Sequence, residues 1–493
     1  MRVLVLSQFF TPEVVAAATR VQSFVDALQS AGHAVDVVCE VPNHPDGVVA
    51  PEYRGRALTV RRDGGARIWH VPVRASPVKT PTSRLAFYGS YALSATALAM
   101  AVPRADVVLG SSPPLPVGVA AAAAAARHHA PWILDVRDLW PDAAVALGEL
   151  SGPRLIRLAE RLERRLYSGA EAITTVTPAF RDAIASRVGR PGKVSLVPNG
   201  ASELCLQAAG WEPDRGALDL ASDRFVWTYA GNVGLAQGLD SAVHAAARLG
   251  TGFQLVVLGG GPERERLERL AAGLPAGSVV FRDTVPQSLA ARYLRASDAL
   301  LVPLADTATL RSFVPSKLFD CCAVQRPVIL AADGQARRLP GIGRAALPVA
   351  PGDPQALAGA VRRLRDDAEL RRALASAGAA FAAQHSRERQ AGRLVELVEG
   401  VAARQRRSGR RGTSASRKAA RRRHSPSRLE RRASSRPAAV RRSRKRRSAA
   451  TRSISPAAAG ASPGGTSSAA SPTASAMPPT AVATTGRPAA KAS

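Results

Sequence analysis

The run Val314-Pro315-Ser316-Lys317-Leu318-Phe319-Asp320 puts a cation and a carboxylate three residues apart, where Pro315 and Ser316 read as a helix start. A lysine in a first helical turn opposes the helix dipole, so it is locally unfavourable unless an anion docks beside it. With Ser316, free backbone N–H groups and Asp320 one turn on for ribose hydroxyls, such a Lys317 suits a nucleoside diphosphate. The bland alternative is an exposed helical lysine. A second cluster holds Asp135, Arg137, Asp138 and Asp142 within ten residues, directly after the apolar run Trp132-Ile133-Leu134. Carboxylates and a guanidinium so placed can take a proton from an acceptor hydroxyl or hold it in line. They can also simply cap a helix.

Two glycine turns complete the set: Gly231, Asn232 and Gly234 after one apolar run, and Gly259, Gly261 and Glu263 after the next. Glycine lets the backbone approach a phosphate, and a following helix N-terminus favours its charge. Neither turn has the spacing of the dinucleotide fingerprint. Near the start, residues 8–13 end in Glu13 and lead into an alanine-rich helix carrying Arg20.

These residues need elements to position them. Short β-branched runs alternate with helical patterns, which implies an α/β fold with parallel sheets wrapped by crossover helices. One series of strands is expected at 3–7, 34–39, 67–72, 106–110, 132–135, 172–176 and 194–197, and a second at 225–230, 254–258, 278–281, 299–302, 327–330 and 346–349. Pro198-Asn199-Gly200 breaks the pattern. The expected organisation is therefore a doubly wound domain over 1–200, a linker over 201–223, a second such domain over 224–403, and a tail over 404–493. Ligands of such sheets bind at the carboxyl ends of the strands.

The 493 residues are 46% hydrophobic with a formal charge of +30, which excludes whole-chain disorder, a collagen-like repeat and a small disulfide scaffold. The tail holds 23 Lys+Arg against one acid, Glu430, so the body keeps only +8 of that charge. Nucleic-acid binding is not indicated for the body. The tail's Arg, Ser, Ala and Pro tracts are expected to be disordered, attracting nucleic acid or anionic lipid at most non-specifically. Cys39, Cys205, Cys321 and Cys322 form no zinc-site spacing, so no structural metal is expected and a reducing cytoplasm fits. The opening residues read as a buried strand rather than a signal peptide. Residues 85–102 are uncharged between Lys79, Arg84 and Arg104. They suit a crossover helix or partial insertion at a membrane interface better than a span.

With these motifs in place, the chain resembles the family 4 glycosyltransferases of the GT-B fold. It resembles in particular their bacterial branch that transfers N-acetylaminosugars such as N-acetyl-L-fucosamine or N-acetylquinovosamine. The motifs are SQFFTPE at 7–13, DVRDLWPD at 135–142, VPNG at 197–200, YAGNVGLAQGLD at 229–240, GGGPERERL at 259–267 and VPSKLFD at 314–320. The resemblance covers residues 1–403. It implies a retaining transfer of an N-acetylaminosugar from a nucleotide sugar, mostly UDP-linked, to a polyprenyl-linked or saccharide acceptor in surface polysaccharide synthesis. It implies no cofactor and no essential metal, and a cytoplasmic place, peripheral at the inner membrane face.

On this resemblance Gly231, Asn232, Gly234, Gly259, Gly261, Glu263, Ser316, Lys317 and Asp320 bind the donor. Glu13, Arg20 and Asp142 lie on the acceptor side, and Asp135, Arg137, Asp138 and Lys317 act in catalysis. The family's basic pair is replaced by Leu235 and Gln237, which leaves Lys317 as the main cation for the pyrophosphate. Its Glu, seven residues, Glu element keeps only Asp320, with Ser312 at the first place. A nucleotide-sugar epimerase on the same architecture, or a polyanion binder working through the tail, are the competing readings.

Overall fold

A computed structural model describes residues 1–423 except 14, 45, 79 and 147–149. The first sheet contains β1 (Arg2–Ser7), β2 (Ala34–Glu40), β3 (Thr59–Asp63), β4 (Ala66–Val71), β5 (Val107–Ser112), β6 (Trp132–Val136), β7 (Ala172–Thr175) and β8 (Val194–Leu196), in the order β3-β4-β2-β1-β5-β6-β7-β8. The second contains β9 (Phe225–Ala230), β10 (Phe253–Leu258), β11 (Val279–Arg282), β12 (Ala299–Pro303), β13 (Val328–Ala331) and β14 (Ala346–Pro348), in the order β11-β10-β9-β12-β13-β14. Two mostly parallel sheets in tandem are what the alternating pattern predicts. Helices cover both faces of each sheet, which is why strands such as β5 and β10 are buried along their whole length, Ser111, Ser112 and Gln254 included.

One strand escapes the expected series. β3 pairs antiparallel with β4 through a Gly64-Gly65 turn in which both glycines have positive φ. Its Arg61, Arg62 and Asp63 are exposed on the sheet edge, where charge blunts further pairing and hides the strand from an apolar search.

The domain limits also differ from expectation. Within 201–223 the helix Glu203–Ala208 packs Cys205 and Ala208 against Leu318 and Phe319, so most of the expected linker belongs to the second core. At the other end the helix Arg387–Arg423 returns to the first domain, where Ala391, Leu394, Val398 and Val401 join Val21, Val25 and Val37 in one core. Residues up to 403 therefore do not all serve the second domain. The expected disorder of 404–493 is corrected for 404–423, which continue that helix, and the rest of that expectation lies outside the described residues.

Residues 85–101 form most of the helix Pro81–Ala101, started by a Thr80 and Ser83 capping box and capped by Val102. It buries Tyr91, Ala95 and Ala99 against the first sheet and leaves Leu85 and Leu93 exposed at 62% and 76%. No helix among the described residues is long and apolar enough to cross a membrane. All four cysteines are free and buried.

Candidate active site

Loops at the carboxyl ends of both sheets meet. Thr177, after β7, donates to the Ser312 carbonyl at 3.1 Å, and Phe180 packs edge-on against Phe313 with centroids 5.0 Å apart. Arg20, Phe24 and Asn199 of the first domain line one small cavity with Ser316 of the second.

On the second domain the two glycine turns are zipped together by backbone. Val233 N–H donates to Gly260 O at 2.8 Å, and Glu263 N–H to Val233 O at 3.1 Å. Gly259 has φ +133°, and a Cβ there would sit 2.2 Å from Gly231 O, so this approach admits only glycine. Gly261 meets Val233 O just as closely, at 2.3 Å from an added Cβ. At Gly231 an added Cβ would lie 2.7 Å from Lys317 Nζ. The glycines thus serve two purposes, holding turn to turn and making room for the lysine.

Lys317 opens the helix Lys317–Ala323, with Ser316 at its N-cap. Its Nζ lies 2.5 Å from the Tyr229 hydroxyl and 3.8 Å from that ring's centroid. No carboxylate pairs with it among the described residues. Burial pushes its pKa from 10.5 down to about 7, against a small opposing effect of Cys321. Tyr229, held in turn by the Asn232 carbonyl, was not singled out in the sequence, although it closes the strand before the glycines. Gly234 N–H donates to Gln237 Oε1 at 3.1 Å. Glu263 is tied to Arg266 at 2.7 Å, and Arg266 also clamps Asp240.

On the first domain the acidic cluster divides. Asp135 is fully buried and accepts from both Arg20 Nη2 at 2.9 Å and Nε at 3.2 Å, from Thr174 at 2.8 Å and from Ser111 at 3.1 Å. Burial alone would raise its pKa, but Arg20 chiefly, then Arg137 and Thr174, bring it below the usual value. Arg20 also binds the carbonyls of Val197 and Pro198 and the Asn199 side chain. The pair is a strut between the first helix, β6 and the loop after β8.

Asp138, three residues further, receives no side-chain or backbone donor among the described residues, and burial, opposed by Arg137, raises its pKa. Arg137 spends Nη2 on Pro113 O at 2.9 Å and leaves Nε buried without a partner. Asp142 points elsewhere, sharing Arg187 with Glu163. Glu13 Oε1 accepts from the backbone of Asn43 and His44 at 2.8 and 2.9 Å, while its buried Oε2 has no partner. Nearby Glu40, fixed by Gln8 and Asn43, is pushed well above the usual carboxylate range by burial and then by Glu13. No local spacing announced Glu40.

Both oxygens of Asp320 are hydrogen-bonded within the protein. Its Oδ1 accepts from Ser202 N–H and its Oδ2 from Arg387 Nη2, each at 2.7 Å. The groups left available are thus Lys317, Asp138, Arg137 Nε and Glu13 Oε2, whereas Arg20, Asp135, Asp142, Glu263 and Asp320 are committed to protein partners.

Two family models match this chain, a glycosyl transferase 4-like domain over 16–200 and glycosyl transferases group 1 over 224–367. Over 380 residues it is 26% identical to an Escherichia coli (strain K12) protein, WcaI, named for a glycosyl transferase role in colanic acid biosynthesis. That match covers 74% of this chain and 92% of WcaI. Among solved structures it resembles WaaG, a glycosyltransferase involved in lipopolysaccharide biosynthesis, at TM-score 0.61 and 16% identity, over 81% of this chain and 100% of that one. It also resembles Anabaena HepE in complex with UDP and glucose, at TM-score 0.59 and 15% identity, over 81% of this chain and all of that one.

Proposed function

For a chain that is a glycosyltransferase of family 4 with the GT-B fold, we propose transfer of an N-acetylaminosugar from a UDP-linked donor, with retention, to a lipid-linked or saccharide acceptor in surface polysaccharide synthesis. The observation that carries this reading is Lys317, a cation with no carboxylate partner among the described residues, set against the Gly231 turn and an aromatic hydroxyl. A diphosphate supplies the missing counter-charge. As the anomeric C–O bond breaks, its electron pair leaves on the diphosphate, and Lys317 with the turn backbone stabilises that charge in place of a metal ion. Across the cleft, Asp138 is the uncommitted carboxylate near the acceptor, where its raised pKa suits it to draw the hydroxyl proton. The Arg137 charge, one residue away in the chain, partly offsets that rise. The UDP of HepE and the polysaccharide roles in the names of WcaI and WaaG favour the same donor and pathway class.

The acceptor side fits an enzyme working at the cytoplasmic membrane face. One side of the first sheet is covered by the helices Pro81–Ala101, Val117–His128 and Pro153–Gly169. The first of these helices exposes Leu85, Leu93 and Met100, and the last exposes Leu155 and Leu158 together with Arg154, Arg157, Arg161 and Arg165. Apolar side chains among arginines suit an anionic lipid surface.

The deciding experiment is a panel of UDP-, GDP- and dTDP-sugars offered to the purified chain, read as nucleoside diphosphate release with and without a polyprenyl phosphate or polyprenyl-diphosphate-sugar acceptor. Release from no donor would overturn the reading. Epimer formation without acceptor would replace it with an epimerase.

A further inference from the structure

The helix Arg387–Arg423 starts beside the cleft, where Arg387 lines a small cavity with Ser316, and runs to the opposite edge of the first sheet. There Glu399 pairs with His33, which leads into β2, at 3.1 Å, and Arg404 lies 3.9 Å from Glu171, which leads into β7. Its last core contacts are Val401 and Ala402, and residues 403–407 are all exposed. The helix nonetheless continues to 423. Over 404–423 it carries ten Lys or Arg, nine of them Arg, and no Asp or Glu. Arg406 and Arg407 line an open cavity with Met1 and His33, and neither pairs with a carboxylate among the described residues.

Arg406 and Arg410, Arg407 and Arg411, Arg417 and Arg421, and Lys418 and Arg422 each stand four positions apart, the spacing at which like charges oppose a helix. Gly409 and Gly412 oppose it further. What favours it is the core-anchored helix behind it, which removes the cost of nucleation. A helix held at one end and opposed along its length by its own charge is completed by a line of anions. We propose that residues 404–423 form a docking helix for double-stranded nucleic acid, bound through its phosphates. Guanidinium groups meet phosphate oxygens as a fork. At 1.5 Å per residue the segment spans about 30 Å, along which a duplex offers roughly one phosphate charge every 1.7 Å. Its other positions hold only Ala, Gly, Ser, Thr and Gln, so the rod is slim enough for the major groove. The same composition argues against a lipid surface, which interfacial helices enter with Leu, Phe or Trp. Its place in the fold agrees. The helix packs with Val21 and Val25 on one side of the first sheet, whereas Leu85, Leu93 and Leu158 are exposed on helices that cover the other.

Titration of the full chain with a short, mixed-sequence DNA duplex across a salt series tests the helix. Arg406→Gln, Arg407→Gln, Arg410→Gln and Arg411→Gln together should lower the log–log salt slope by about 3–4 and weaken the duplex by about tenfold or more. The same four charges removed outside the helix, by Arg441→Gln, Arg442→Gln, Arg446→Gln and Arg447→Gln, should cost less than about threefold. Thr413→Pro keeps every charge and breaks the helix, and should weaken the duplex about as much as the first set. Far-ultraviolet ellipticity should gain helix when duplex is added to the unaltered chain and not when it is added to Thr413→Pro. Every variant should keep the melting temperature of the unaltered chain, because the substitutions lie beyond the last core contact at Ala402. No duplex binding by the unaltered chain, equal losses from the two sets of four, or undiminished binding by Thr413→Pro each overturns the docking helix. So does a Thr413→Pro chain that loses phosphatidylglycerol vesicles and keeps the duplex, since that result assigns the helix to lipid.

Discussion

Lys317 has the largest consequences of any single side chain in the cleft. Lys317→Ala should lower turnover by about 10²–10³, the scale for losing one preorganised donor, and weaken UDP more than uridine. Its pKa near 7 in the free chain also fixes a sign. A diphosphate favours the charged amine, so above about pH 7 UDP binding takes up a proton, and affinity falls as pH climbs towards the ordinary lysine value of 10.5. Below 7 the lysine is already charged and this dependence vanishes. The free fold shows the opposite trend, gaining stability across the same window because the unfolded lysine binds more protons. Calorimetry at pH 8 in buffers of different ionisation enthalpy measures the uptake. A proton count of zero there would mean that Lys317 does not meet the phosphates. Asp135 and Asp138 should separate just as cleanly. Breaking the buried Arg20–Asp135 pair by Arg20→Ala should cost about 3–5 kcal/mol of stability. Asp138→Asn should leave the melting temperature nearly unchanged and reduce transfer while UDP still binds.

At the scale of elements, the glycine turns form a single unit, and Gly259→Ala tests it. The new Cβ would collide with Gly231 O, so the turns must part, with about 1–3 kcal/mol of strain and a weaker UDP complex. Denaturant melts and UDP titration read both, and an unaffected variant would show the turns to be independent. Much of this level was legible in the sequence. β9, β10 and β12 are apolar runs closed by glycine or proline, and their alternation with helices is enough for the fold class. β3 was not legible because an edge strand carries charge instead of a pattern. Nor did the sequence separate Asp135 from Asp138, since the arginine that claims Asp135 lies 115 positions away and no local spacing records it. Asp320 was misleading for the same reason, its partners being 118 and 67 residues distant.

For the whole molecule, the exposed leucine and arginine surface of the first domain should bind vesicles containing phosphatidylglycerol and not vesicles of phosphatidylcholine alone. A polarity-sensitive dye on Leu158→Cys should shift to the blue on the anionic vesicles, and the same dye on Thr251→Cys should not, which discriminates this face from attraction by the basic tail. A dye at 158 that stays in water would show the face to be merely solvated. The return helix makes a second global prediction. A chain ending after residue 423 should melt as the full chain does, and one ending after 386 should lose the first domain's cooperative transition, because Ala391, Leu394, Val398 and Val401 belong to that core.

That helix also governs the order in which the protein can be made. The first domain's own strands are complete by residue 196, yet the helix that closes their core begins at 387, after the second domain. At roughly 5–20 residues per second, on the order of 10–40 s pass between the two at the ribosome. During that interval Val21, Val25 and Val37 lack the covering that the last helix gives them, so the nascent chain presents a large apolar surface to chaperones while its second half is still being synthesised.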